Sequence, residues 1–376
     1  MDSTLNDPQA GLVADLVLEG GGVKGIAHIG AVTALESSGY KFQRVAGTSA
    51  GAVAAAVVAC CAQRDKKVAD IQDLMCPGKN KDSIQYKMVP SGRTTIPGLE
   101  QALAAMSVVV NDGFFDSTYL RDWIHGTLKR EWDVEKFGDL RIQDPKTALA
   151  TSQQYRLVVM VADVSRGSLV RLPWDYHLYG LDPDQQYVAD AVRASASIPY
   201  FFEPAKLSWA PPSTNTSDLV DGGMLSDFPI EIFDRDDRDQ SRWPTFGVKL
   251  SAEPDPTALA HHIGGPISLG RALYDTALNG NDAVHLSDPC VLRRTMFIDT
   301  SFVSATDFGL DDNEQQQLFN AGQQVATAFV KAFDWNSFKV ACGADLEARR
   351  FRALAARGAS PIDLQGDLEA PVAAGS

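Results

Sequence analysis

Apolar and polar positions alternate along this chain in a pattern that predicts alternating strands and helices. Residues 15–22, "DLVLEGGG", start as a short apolar run and stop at three glycines. That reads as a buried parallel strand entering a tight turn. Ile26, Ile29, Val32, Ala34 and Leu35 follow at helical spacing, with Gly39 as a stop signal. "FQRVAG" (42–47) is a second strand, and "AGAVAAAVVACCAQR" a second helix. The start of the chain is therefore β-turn-α-β-turn-α, the opening of a doubly wound, mostly parallel sheet flanked by helices. Further on, 155–172 predicts a strand, a turn and a second strand, and 186–204 a helix broken near Pro199. Short strands are expected at 217–221, 245–250 and 294–300. Two amphipathic helices are expected at 116–130, capped by Asp116 or Ser117, and at 311–333, capped by Asp311 or Asp312.

The stretch 76–113 breaks the pattern and reads as an insertion or lid, with Ile84, Met88, Val89, Ile96 and 108–110 available to shape an apolar pocket. The expected layout is a tail (1–14), one α/β domain (15–335) and a C-terminal helix with a flexible tail (336–376). The acid-rich "EIFDRDDRDQ" (231–240) reads as a solvated loop.

Composition narrows the functions. The 376 residues carry a net charge of −14, a poor match to nucleic acid and, overall, to an anionic membrane surface. Membrane-surface contact is expected to be conditional. Five cysteines without a C-x-x-C spacing suggest a reduced, cytoplasmic protein, with peripheral membrane contact and signal-independent export left open. The uncharged run 45–62 is rich in Ala and Gly and fits a strand end and buried helix better than a membrane span.

Within that run, "GTSAG" (47–51) sits between a predicted strand and a predicted helix. This is the context of a nucleophile elbow, in which Ser49 is presented on a sharp turn flanked by Gly47 and Gly51. A plain glycine-rich packing turn would read the same. "GGGVKG" (20–25) can be read as G-x-G-x-x-G, a dinucleotide fingerprint, but the following "YKFQRVAGTS" lacks the acid such a site uses for ribose. The alternative is an oxyanion hole, with convergent N–H groups at Gly20, Gly21, Gly22 and Gly25. Lys24 could add positive charge there, or be a solvated lysine. Parallel strands joined by one crossover bring both loops to one rim. Six histidines, His28, His125, His177, His261, His262 and His285, occupy no clear motif, so a Ser-His-Asp arrangement stays open. The better candidate base is Asp221, which ends a predicted strand and is followed by Gly222 and Gly223, although an ordinary Asp-Gly turn would read the same.

Taken in order, "GGGVKG", "GTSAG" and "DGG" resemble the glycine-rich loop, serine elbow and aspartate turn of patatin-like phospholipases. "VRASASIPYFFEP" (192–204) and, more loosely, "TDFGLDDNEQQQLFNAG" extend the similarity, which runs from about Asp15 to about Phe333. The resemblance implies a three-layer acyl-hydrolase fold and a Ser49–Asp221 dyad without a catalytic histidine. It also implies an oxyanion hole at Gly21, Gly22 and their neighbours, no metal or other cofactor, and a phospholipid or lysophospholipid substrate. A carboxylate is a weak base toward an alcohol, so Asp221 is expected to be buried and hydrogen-bonded to Ser49. Rival readings are an acyltransferase on the same scaffold, a nucleotide-binding oxidoreductase and a catalytically silent lipid-binding protein. Oligomeric state is not legible.

Overall fold

In the computed structural model, residues 12–71, 113–115, 117–237, 241–251, 288–305 and 310–343 are described. The 76–113 insertion, apart from its last residue, and the C-terminal tail lie outside them, as do His261, His262 and His285. The chain runs β1 (Leu12–Leu18), α1 (Ile26–Ser37), β2 (Tyr40–Thr48), α2 (Ala50–Gln63), β3 (Gly113–Phe115) and α3 (Thr118–Trp132). It continues with β4 (Leu157–Asp163), β5 (Ser168–Leu172), α4 (Val188–Ser195), β6 (Tyr200–Phe202), β7 (Ala205–Ser208) and β8 (Thr216–Asp221). Then come β9 (Thr245–Lys249), α5 (Pro289–Leu292), β10 (Thr295–Phe297), α6 (Asp312–Ala332) and α7 (Trp335–Cys342).

The main sheet has the order β10-β9-β1-β2-β4-β8-β7, with β5 also paired to β4. From β10 to β4 every neighbour is parallel. These strands are buried on both faces, which is why β4 (LVVMVAD) reads as an unbroken apolar run. At β4 the sheet changes character, because β5, β7 and β8 are antiparallel additions. The sheet is thus mixed and mostly parallel, with flanking helices.

Helix α2 is made almost wholly of Ala, Val and Gly because it is buried nearly all round, from Gly51 to Cys61. Among the described residues no helix is long and apolar enough to cross a membrane. Helix α6 starts at a capping box, Asp311 with Glu314, and packs on α1 so closely that side chains cannot fit. A methyl group at Gly30 would lie 2.0 Å from Phe319 O, and one at Gly322 2.0 Å from Ala27 O.

Two expectations are corrected. Residues 231–234 are not a solvated loop: Glu231, Ile232, Phe233 and Asp234 are buried, and Asp234 takes a two-pronged hydrogen bond from Arg294 (2.5 and 2.6 Å). The ion-pair partner comes from the turn before β10, far along the chain, so a local charge count could not reveal it. The cysteines are not all reduced either. Cys290 of α5 and Cys342 of α7 form a disulfide across a sequence separation of 52 residues. Closing a 52-residue loop in the unfolded chain is worth about 4 kcal/mol. Urea unfolding with and without dithiothreitol should therefore show a stability loss approaching that value. An identical midpoint in both would mean the bond does not stabilise the fold.

Candidate active site

The serine elbow forms where β2 passes into α2. Ser49 is the N-cap of α2 with φ 53° and ψ −121°, a conformation a non-glycine residue holds only when its surroundings enforce it. The enforcement is visible in the backbone. A methyl at Gly47 would lie 2.2 Å from Gly51 O, and one at Gly51 2.2 Å from Leu18 O. The turn is thus pressed between its own helix and the end of β1. Ser49 itself is only 5% exposed.

The glycine loop lies directly against it. A methyl at Gly20 would be 3.2 Å from Ser49 Cβ and 2.2 Å from Asp227 Oδ1. Gly20 N–H donates to that carboxylate (3.1 Å), Val23 N–H to Ala305 O (3.0 Å) and Lys24 N–H to Gly21 O (3.2 Å). Among the described residues no acceptor takes the N–H of Gly21 or Gly22. Of the four glycines expected to line an oxyanion hole, Gly20 therefore has its amide engaged, and Gly25 is packed against Ala50, 3.0 Å from a methyl placed on it. The Asp299 carboxyl lies below its usual range, chiefly through hydrogen bonds from Ser301 and to a lesser degree through the Lys24 charge. The Gly22 backbone has φ 58°, and a methyl there would sit 2.0 Å from Ala305 O. Gly22→Ala should displace the loop and, on the oxyanion reading of Gly22, lower turnover by about 10²-fold. Steady-state kinetics beside an unchanged far-UV circular dichroism spectrum would check it.

Glu19, just before the loop, is buried and anchors it. Its carboxylate takes hydrogen bonds from Lys249 Nζ and Leu250 N–H, and its carbonyl accepts from His28 Nε2 (2.7 Å). Burial pushes His28 down to about 4, so the ring is neutral at ordinary pH. His125 faces Glu135 (3.4 Å) and His177 hydrogen-bonds Trp174 O (2.7 Å). Each of the three described histidines is thus occupied by a partner other than Ser49.

Asp221 reaches the site by a route the sequence did not suggest. It does not arrive with the parallel strands, because β8 is antiparallel. β5 pairs with β4 over 159–163 and occupies one edge. β2 pairs with 157–160 and β8 with 161–163, so both must share the other edge, end to end. Thr48 lies opposite Met160 and Asp221 opposite Val161, a single register step of roughly 3.3 Å along β4. Thr48 Oγ1 also donates to Ser226 O (3.2 Å), tying β2 to the turn after Asp221. Asp221 is 1% exposed, and its Oδ1 accepts from Gly223 N–H (2.9 Å). A methyl on Gly222 would be 2.3 Å from Met160 O, so the chain can turn away beside β4 only without a side chain.

Sequence reasoning missed three residues that shape this junction. Asp227 holds Gly20, Ser197 O accepts from Asp221 N–H (2.9 Å), and Ser195 Oγ accepts from Ser49 N–H (2.8 Å). The last two lie in "VRASASIPYFFEP", a stretch that stood out by resemblance but offered no chemistry of its own. Among the described residues no cluster of His, Cys, Asp and Glu could hold a metal ion.

A profile of patatin-like phospholipases matches residues 16–234, which hold the loop, the elbow and the aspartate turn. This chain belongs to the patatin-like phospholipase family. The family assignment makes it a lipid hydrolase at that level of description. Among relatives, this patatin-like chain is 33% identical over 321 residues to the uncharacterized protein YqhO of Bacillus subtilis, covering 85% of this chain and 99% of that one. It is 26% identical over 224 residues to the uncharacterized NTE family protein MT2641 of Mycobacterium tuberculosis, covering 59% of this chain and 28% of that protein. Solved structures similar to the patatin-like chain include VipD of Legionella pneumophila (TM-score 0.44, 18% identity, 86% of this chain and 67% of that one). ExoU is another (TM-score 0.39, 16% identity, 94% and 62%). At these scores the family assignment rests on the sequence matches.

Proposed function

We propose that this protein is a phospholipase A or lysophospholipase that works through a Ser49–Asp221 dyad and an acyl-enzyme. The observation that carries the reading is the end-to-end meeting of β2 and β8 on one edge of β4, with the glycine loop against Ser49. Ser49 Oγ attacks the ester carbonyl carbon while its proton passes to the Asp221 carboxylate. The carbonyl oxygen gains the negative charge and is met by the N–H groups of Gly21 and Gly22, at the positive end of the adjoining helices. Collapse of the tetrahedral intermediate breaks the ester C–O bond, and the leaving alcohol takes the proton from Asp221. Water then attacks the acyl-serine carbonyl, giving its proton to Asp221; the acyl C–Oγ bond breaks, Ser49 Oγ takes that proton back from Asp221, and the free fatty acid departs.

Burial of both side chains supports this chemistry, because the donors act with little competition from water. The location read from the sequence stays part of the proposal. The Cys290–Cys342 bond supports its export alternative, since disulfides persist in oxidising surroundings. A panel of diacyl and monoacyl phospholipids, assayed for released fatty acid beside fluorophosphonate labelling of Ser49, tests the reading. Release with labelling mapped to Ser49 is expected; labelling without lipid hydrolysis would point to another acyl donor. Acyl transfer to added glycerol in preference to water would replace hydrolase with acyltransferase.

A further inference from the structure

Ser195 is the last residue of α4 and is fully buried. Its hydroxyl accepts from Ser49 N–H (2.8 Å) and donates to Met160 O (2.6 Å). The ladder between β2 and β4 explains why this matters. Val45 N–H donates to Arg156 O (2.7 Å), and stepping four residues along each strand, two repeats of the ladder, places Ser49 N–H opposite Met160 O. In an unbroken ladder these two groups would bond to each other. Here the Ser195 oxygen is inserted between them.

The insertion solves a local problem. Ser49 must leave the strand to adopt its φ of 53°, which pulls its N–H away from β4. Without a bridging group, a buried donor and a buried acceptor would both be orphaned, or the elbow would relax back into the ladder. A hydroxyl is suited to this task because it accepts and donates at once. The same turn also holds the other half of the site, since Ser197 O accepts Asp221 N–H (2.9 Å).

We infer that Ser195 is a positioning residue for the nucleophile: its hydroxyl is the spacer that keeps Ser49 swung out of the sheet. The inference rests on Ser49 being the nucleophile, and the experiment separates the two. Ser195→Ala should lower kcat and the rate of fluorophosphonate labelling of Ser49 together, by about 30-fold, with KM changed less than about two-fold. Ser195→Thr, which keeps the hydroxyl, should restore most of kcat. A control of matched thermal cost, Phe319→Leu in α6, should leave kcat at the wild-type value. If Ser195→Ala does not fold, Ser195→Cys keeps the volume with a weak hydrogen-bonding group and should show the same loss. Wild-type kcat in Ser195→Ala or Ser195→Cys overturns the inference, as does an equal loss in Phe319→Leu. Full turnover by Ser49→Ala, by contrast, removes the nucleophile reading and the inference with it.

Discussion

Ser49→Ala is expected to abolish ester hydrolysis, with a loss of about 10⁴-fold or more in kcat. The substitution removes one oxygen from a residue whose position is set by its main chain and its neighbours, not by its own side chain. The close approaches at Gly47 and Gly51 and the Ser49 N–H bond to Ser195 are all independent of the Ser49 side chain. The variant should therefore fold, and its melting temperature should stay within a few degrees of the parent. Any residual turnover would come from the loop amides and substrate binding. Release of fatty acid at the parent rate would remove Ser49 from the chemistry.

Asp221→Asn is expected to cost about 10³-fold in kcat, the range for loss of a general base. The change is sterically small and keeps the contacts that hold the turn. An amide oxygen can still accept from Gly223 N–H, and the backbone bond to Ser197 O is untouched. Folding and loss of proton transfer are thus separable. Fluorophosphonate labelling of Ser49 should slow in parallel, because that reaction also needs the hydroxyl proton removed. Retained activity together with slowed activity in a variant of His261, His262 or His285 would move the base to a histidine.

Much of this architecture was legible because its signals are local. The apolar runs of β1 and β2 end at glycines, and α1 and α6 carry clear start or stop signals, Gly39 for the first and the Asp311 box for the second. The serine elbow was legible for the same reason, as strand, small-residue turn and helix follow one another without interruption. What was hidden depends on pairing between distant segments. Asp221 was expected at a common rim of parallel strands, yet it arrives on an antiparallel strand that descends along β4. Strand direction is not written in six residues. Glu231 and Asp234 look solvated until Arg294 is brought beside Asp234. The Cys290–Cys342 bond joins two short helices whose adjacency no spacing rule reveals. Ser195 was hidden for a further reason: its role is played through another residue's backbone, and no motif marks an inserted oxygen.

Because β2 and β8 abut on β4, the gap between Ser49 and Asp221 is metered in whole residues. One residue added to β8 would turn Asp221 to the opposite face, and one added to β4 beyond Met160 would lift it a full step clear. Tolerance to insertions should accordingly be quantised, nil within this short ladder and ordinary in the loops that leave it. A lineage of such enzymes can remodel its surroundings freely while this backbone ruler stays at constant length.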